Sequence, residues 1–256
     1  FEVGVVHDLI LVGGQDLIQD GMKRIPHREP FAHHVLHFEH AADQLSLAVG
    51  RARQDRAESE LARARDIQRS LLPASVPQIE GIAVATHWQP AREVSGDYYD
   101  VLRLDDHLLG LCIGDVVGKG MPAALLMSSL QASLKAVAHQ TRSAKEACTR
   151  VREVMLASLT GGTFVTFFYC LVDREQGRIT YCNAGHNPPF LVRADGTVVR
   201  LDVGGPIIAR IAAERPYQEA SVTVGPGDRI LLFTDGVTEA TDARGEMFED
   251  ERLEAL

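Results

Sequence analysis

The sequence predicts an α+β fold, a sandwich of short, mainly antiparallel strands packed with a pair of long helices. Three observations carry this. Apolar runs of strand length recur through the C-terminal two thirds of the chain, bounded by Gly, Asp or Pro. The turns between them are short, which favours antiparallel pairing over a doubly wound parallel sheet. Two stretches in the same region have the length and apolar spacing of helices.

Taken in order, residues 1–53 open with a strand-like "VGVVHDLILVGG", pass through a polar, Pro-containing loop and end in a helical "HFEHAADQLSLAVGRAR". One strand and one helix bury too little surface to make a core. Residues 54–72, "QDRAESELARARDIQRSLL", contain no Gly or Pro and are rich in helix formers. Leu61, Ala64, Ile67 and Leu71 approximate a stripe that Arg56 and Ser59 interrupt, short of sustained heptads. A connecting helix is predicted, paired with its twin in a homodimer and stopped by Pro73. Residues 73–256 read as one domain. Its predicted strands lie in "GIAVATHW", "DVLRL", "LLGLCIGDV", "FVTFFYCLVD", "RITYCNAG", "PFLVRA", "TVVRLD", "SVTV" and "RILLFTD". Asp105-Asp106, Gln176-Gly177, Asp195-Gly196 and Gly225 to Asp228 signal the turns. The helices lie in "MPAALLMSSLQASLKAVAHQ", where Pro122 suits the first turn, and in "AKEACTRVREVMLASL".

Composition narrows the function. With 45% hydrophobic and 24% charged residues, the 256-residue chain has the makings of a globular protein with a sizeable core. A formal net charge of −9 argues against nucleic acid or anionic lipid as a non-specific partner. No segment approaches the roughly 20 uninterrupted apolar residues of a membrane span. Residue 1 is Phe rather than Met, so the sequence is expected to be a piece of a longer chain. Cys112, Cys148, Cys170 and Cys182 show no CxxC spacing and suit small buried side chains; a cytoplasmic location is the expectation.

The chemistry concentrates in three carboxylate segments: "SGDYYD" from Ser95, "IGDVVGKG" from Ile113 and "FTDGVTEA" from Phe233. In the last two, an apolar run leads straight into Asp115 or Asp235. An ionised carboxylate at the end of a buried strand needs hydrogen bonds, a cation or a proton. No Arg or Lys recurs beside both aspartates, whereas a shared divalent cation prefers such hard oxygen donors. Two ions bridged by a carboxylate would also lower the pKa of a trapped water. The plainer alternative, that each Asp supports a turn, stays open.

Other motifs fail on spacing. Gly114 and Gly118 enclose three residues and Gly120 follows Lys119, so there is no P-loop. Thr234 and Phe233 precede Asp235 where a haloacid-dehalogenase-type phosphatase has its own signature, and no Gly-x-Ser-x-Gly is present. His186, in "NAGHNPP", is either a catalytic loop histidine or part of a turn stabilised by Asn and His side chains. His33, His34, His37 and His40 have near-helical spacing that suits a metal, with a solvated helix as the plainer reading.

The motifs "LARARDIQRSLLP", "SGDYYDV", "GDVVGKGMPAALLM", "FVTFFYCLVD", "NAGHNPPFLV" and "LLFTDGVTEATDARGEMFEDERL" occur in this order from about Glu60 to the end. Together they resemble the SpoIIE/RsbU-like branch of the PPM metal-dependent protein phosphatases. The resemblance implies a layered α-β-β-α sandwich of two mainly antiparallel sheets and a pair of Mn²⁺ or Mg²⁺ ions at one edge. It implies hydrolysis of phosphoserine or phosphothreonine by an activated water, with no covalent enzyme intermediate. The substrate it implies is a phosphorylated anti-sigma-factor antagonist of the STAS type, in bacterial stress or developmental signalling.

Carried over residue by residue, Asp97 matches the first metal-site aspartate, Asp115 the bridging aspartate and Asp235 that of the Thr-Asp-Gly motif. Val116 would add its backbone carbonyl, and Gly236, Lys119 and His186 are secondary candidates. "VGVVHDL" and the helix after it resemble the end of a GAF-type sensor domain, which would regulate the phosphatase through the connecting helix. The family usually has Gly where Ser95 and Glu249 stand, and neither change removes a ligand. It also ends in a further helix and a strand bearing a final metal-binding aspartate, so the chain is expected to be truncated before that ligand. The rival reading is a catalytically silent module that binds a phosphorylated partner. Retention of Asp97, Asp115 and Asp235 favours the enzyme.

Overall fold

The computed structural model describes residues 30–77, 79–90 and 93–255, with side chains from 44 onward. The chain divides into two compact units, Phe1–Ser59 and Glu60–Leu256. The described part of the first belongs to helix α1, Pro30–Leu71, whose turns from Glu60 onward belong to the second. The backbone is helical straight through Arg53 and Gln54, where the sequence placed a boundary, and Gly50 does not break it. The strand expected in "VGVVHDLILVGG" and the side chains of His33, His34, His37 and His40 lie outside the described residues.

The second unit contains β1 (Tyr98–Arg103), β2 (Leu108–Val116), α2 (Met121–Ala138), α3 (Ala144–Ser158), β3 (Val165–Asp173) and β4 (Arg178–Ala184). There follow β5 (Phe190–Val192), β6 (Val198–Arg200), β7 (Gly204–Gly205), β8 (Ala220–Thr223), β9 (Arg229–Leu231), and short helices α4 (Asp235–Thr238) and α5 (Glu249–Glu254). The larger sheet runs β1-β2-β3-β4-β7, with β8 also on β4; the smaller runs β6-β5-β9. All pairs are antiparallel except β4 with β7. This is the α+β architecture the sequence predicts.

The near-continuous apolar runs of β2 and β3 follow from burial on both faces of the larger sheet. Leu109, Leu111 and Ile113 join Phe168, Cys170 and Val172 and meet Leu191 and Leu201 of the smaller sheet's side. Cys112, Val116, Phe167 and Tyr169 face the other way, against Met127, Leu130 and Leu134 of α2 and Val151 and Met155 of α3. The 3–4 spacing of those residues puts one stripe of each helix on the sheet. Gly114 allows α2 to seat: a Cβ there would stand 3.1 Å from Leu130 Cδ2 and 2.9 Å from the Thr166 carbonyl oxygen. Ser143 caps α3 by accepting the Glu146 N–H. Beyond the smaller sheet, α5 is tied to β6 by the ion pair of Arg200 with Glu254. All four cysteines are buried free thiols.

Three of the four turn signals fall between strands that pair with each other, while Gly225 to Asp228 joins β8 of the larger sheet to β9 of the smaller; Gly177, Gly196 and Gly227 have positive φ. Two strand expectations need correcting. "GIAVATHW" forms no ladder; it has only a bridge between Ile79 and Ile82, while Ile82 and Val84 lean on the core between the sheets. "RILLFTD" is a strand only over Arg229–Leu231, and Leu231 is 40% exposed rather than buried. The ladder ends at the Phe190–Leu231 pair: the Pro189 carbonyl accepts from Leu201 on the β6 side, so the next position turned toward β9 is Pro188, which has no N–H to give. On its other edge β9 has no partner strand among the described residues.

Candidate active site

Strand pairing brings two of the three aspartates together. The β1–β2 register sets Tyr98 opposite Gly114, so Asp97 comes opposite Asp115 and Gly96 opposite Val116. Contact distances agree: a Cβ on Gly96 would stand 2.6 Å from the Val116 carbonyl oxygen and 3.1 Å from Asp115 Oδ1. Asp235 arrives from the smaller sheet as the first residue of α4, and the Thr234 side chain before it hydrogen-bonds to Asp97. Asp115 therefore lies within its strand, whereas Asp235 is reached through three residues beyond the end of β9.

The electrostatics record the crowding. Burial, then the charges of Asp97 and Asp235, push the Asp115 carboxyl up to about 7. Asp97 is also raised, chiefly by burial and further by Asp235, against the pull of hydrogen bonds from Ser95 and Thr234. Among the described residues, none of the three forms an ion pair with Lys, Arg or His. Nor do any three His, Cys, Asp or Glu side chains among them stand, as arranged here, where they could hold a metal ion together. What stands here is an open array of hard oxygen donors: three carboxylates repelling one another and a carbonyl kept reachable by a glycine. That donor chemistry fits Mn²⁺ or Mg²⁺.

His186 is buried inside this frame. Its Nδ1 is 2.8 Å from Thr166 Oγ1, and its Nε2 is 3.1 Å from the Phe233 carbonyl oxygen, two residues before Asp235. Because a carbonyl can only accept, Nε2 carries the proton and Nδ1 accepts from Thr166. Burial pulls the imidazole down to about 4, so it is neutral. Asn183 completes the turn, its Oδ1 accepting the His186 N–H at 2.7 Å while its Nδ2 donates to the His186 carbonyl at 3.0 Å. Of the two readings open from sequence, this arrangement is the turn stabilised by Asn and His. Lys119 is exposed in the loop before α2, and Gly236 is exposed in α4.

Sequence reasoning missed several contributors. Gly96, Thr234 and Ser95 sit beside predicted ligands; Gly96 went unremarked, Thr234 was noted only in excluding another phosphatase signature, and Ser95 only as a departure that removes nothing. Gln68 of α1 lies inside the motif "LARARDIQRSLLP" but was given no role of its own. Its side chain is buried and bonds both backbone groups of Ser95. Only the glycine and the hydroxyls, as neighbours of an expected ligand, offered a signal.

The family model for Stage II sporulation protein E (SpoIIE) matches residues 105–256. The chain belongs to this SpoIIE family, the branch of PPM-type phosphatases that its motifs resemble. It is 31% identical over 193 residues to phosphoserine phosphatase RsbU of Bacillus subtilis, covering 75% of this chain and 57% of that protein. It is 30% identical to the RsbU and RsbW domains of Rv1364c from Mycobacterium tuberculosis, with a TM-score of 0.53 over 59% of this chain and 42% of that one. The SiaA-PP2C domain of Pseudomonas aeruginosa shares the fold, with a TM-score of 0.65 and 23% identity over 79% of this chain and 81% of that one. The chain spans between about a third and just over half the length of the curated relatives it matches. The family match begins at Asp105 and does not bear on the GAF-type resemblance of residues 1–53.

Proposed function

We propose that this chain is a metal-dependent phosphatase that hydrolyses phosphoserine or phosphothreonine on a bacterial signalling protein in sigma-factor regulation. The observation that carries the reading is the meeting of Asp97, Asp115 and Asp235 with no ion-paired cationic side chain among the described residues to balance them. Membership of the SpoIIE family and the likeness to RsbU support it. Asp97, Asp115, the Val116 carbonyl and Asp235 would hold the ions, which when bound supply charge against the phosphoryl oxygens and an activated water. The chain itself orients the donors. Hydroxyls of Ser95 and Thr234 fix Asp97, Gly96 leaves the Val116 carbonyl open, and the neutral His186 braces the backbone before Asp235 without adding a competing charge. Asp235, Gly236 and Val237 are exposed, which suits a phosphorylated loop on a protein surface.

The finer assignment is a STAS-type anti-sigma-factor antagonist as substrate, with a sensor upstream acting through α1. Homodimerisation through that helix fits the exposure of Leu45, Leu47, Val49 and Ile67 along it. Phosphate release from a phosphoserine protein by the natural full-length protein, with Mn²⁺ or with EDTA and with Asp115→Asn alongside, tests the core of the proposal. Metal-dependent release that disappears in the variant supports it. A folded, Mn²⁺-loaded protein that binds the phosphoprotein without releasing phosphate would point to the silent binding module.

A further inference from the structure

We infer that Gln68 and Ser95 are positioning residues for Asp97, an inference that rests on the reading of Asp97 as a metal ligand. Gln68 lies near the end of α1, a helix exposed along most of its length, yet only 3% of it reaches solvent. Its Nε2 donates to the Ser95 carbonyl at 2.7 Å, and its Oε1 accepts the Ser95 N–H at 3.0 Å. One side chain thus satisfies both backbone groups of Ser95, as a neighbouring strand would. The helix end is itself held, because Gln131 of α2 donates to the Leu71 carbonyl at 3.3 Å. The nearby pair of Arg65 with Glu93 is half exposed on both sides and adds little.

From Ser95 the path runs directly to the site. Ser95 Oγ accepts the Asp97 N–H at 3.1 Å, which leaves its own proton for Asp97 Oδ2 at 3.0 Å. The hydroxyl can point only one way, and the carboxylate it holds is fixed in rotation. One oxygen is engaged by Ser95, and the Thr234 side chain also hydrogen-bonds to the carboxylate, which feels the charge of Asp235. The frame of this arrangement is the last turn of α1.

A merely structural role for Gln68 and Ser95 would show in folding and not in ion binding. The experiment therefore measures Mn²⁺ affinity of the natural full-length protein by calorimetry, and melting in EDTA, for wild type, Asp97→Asn, Ser95→Ala, Ser95→Thr and Gln68→Leu. Residues that orient metal ligands typically change affinity by about 10- to 100-fold when removed. Ser95→Ala is expected to weaken Mn²⁺ binding on the order of tenfold, the low end of that range, with its EDTA melting temperature unchanged, and Ser95→Thr to restore it. Gln68→Leu is expected to weaken Mn²⁺ and to speed hydrogen exchange at the Ser95 amide. Wild-type affinity in both Ser95→Ala and Gln68→Leu, with Asp97→Asn impaired, would overturn the positioning role while leaving Asp97 a ligand. Wild-type affinity in Asp97→Asn would overturn the ligand assignment and this inference together.

Discussion

The most demanding test of the site is the smallest substitution in it, Gly96→Ala. A Cβ there would stand 2.6 Å from the Val116 carbonyl oxygen, against the 3.4 Å at which ordinary contact begins, so the two must separate by 3.4 − 2.6 = 0.8 Å. The same methyl presses on Asp115 Oδ1 at 3.1 Å. The neighbour on Val116 is backbone in a fully paired strand, so no side-chain rotation relieves the clash. A metal site tolerates displacements of about 0.2 Å in its ligands, and a 1 Å misplacement at a reacting centre costs about 10²-fold in rate. Overpacking by one methyl destabilises by about 1–3 kcal/mol, or about 2–4 °C for each kcal/mol in a domain of this size. The expected variant is folded, melts several degrees lower, binds Mn²⁺ at least about tenfold more weakly and turns over about 100-fold more slowly. Calorimetry with Mn²⁺, melting in EDTA and phosphate release read the three effects separately. Wild-type Mn²⁺ affinity in folded Gly96→Ala would falsify the pairing of the Val116 carbonyl with Asp115 as donors.

Two further outcomes follow from the same structure. Asp115→Asn removes a charge that Asp97 and Asp235 repel, so in EDTA the variant is expected to be more stable than wild type by about 1–2 kcal/mol, allowing for partial exposure. Mn²⁺ should then raise the melting temperature of wild type and not of the variant; a variant less stable in EDTA would contradict the repulsion. Tyr169→Phe removes a buried hydroxyl that has no hydrogen-bond partner among the described residues, so urea unfolding should show stability unchanged or raised by up to about 1 kcal/mol. A loss of more than that would mean the hydroxyl has a partner, such as a bound water.

What the sequence revealed depended on how local the signal was. The turns at Gln176-Gly177 and Asp195-Gly196 and the helix begun by Pro122 are written in a few adjacent residues, and each stands where expected. Asp97, Asp115 and Asp235 were legible because each interrupts an apolar pattern or repeats a motif. β9 was misjudged because its length is limited by Pro188, a residue just before the partner strand that no window around Arg229 contains. Gln68 was passed over for a similar reason: it stands inside a quoted motif, but its burial is fixed by Ser95, 27 residues away, and nothing local on a polar helix marks it. His186 was half legible, since the Asn-to-His turn is local but Thr166 and Phe233, which settle its tautomer, are not.

The location of the site at the seam between the two sheets has a consequence for what ion binding does to the fold. Asp97 and Asp115 belong to the larger sheet, and Asp235 follows the last strand of the smaller one. Without ions, their charges push the sheets apart at this end, against hydrogen bonds such as the neutral link from Thr166 through His186 to Phe233. A divalent cation reverses the sign of that interaction, since each carboxylate then meets a positive charge at short range. The gain should appear where the sheets meet and not where the helices cover the larger sheet, whose apolar contacts do not change with charge. Hydrogen exchange with and without Mn²⁺ is expected to show slowed amides at 95–97, 115–117 and 232–238, with α3 unaffected. Equal slowing throughout the domain would mean that the ions act on global stability alone, and the seam would lose its claim to be the place where the two sheets are joined.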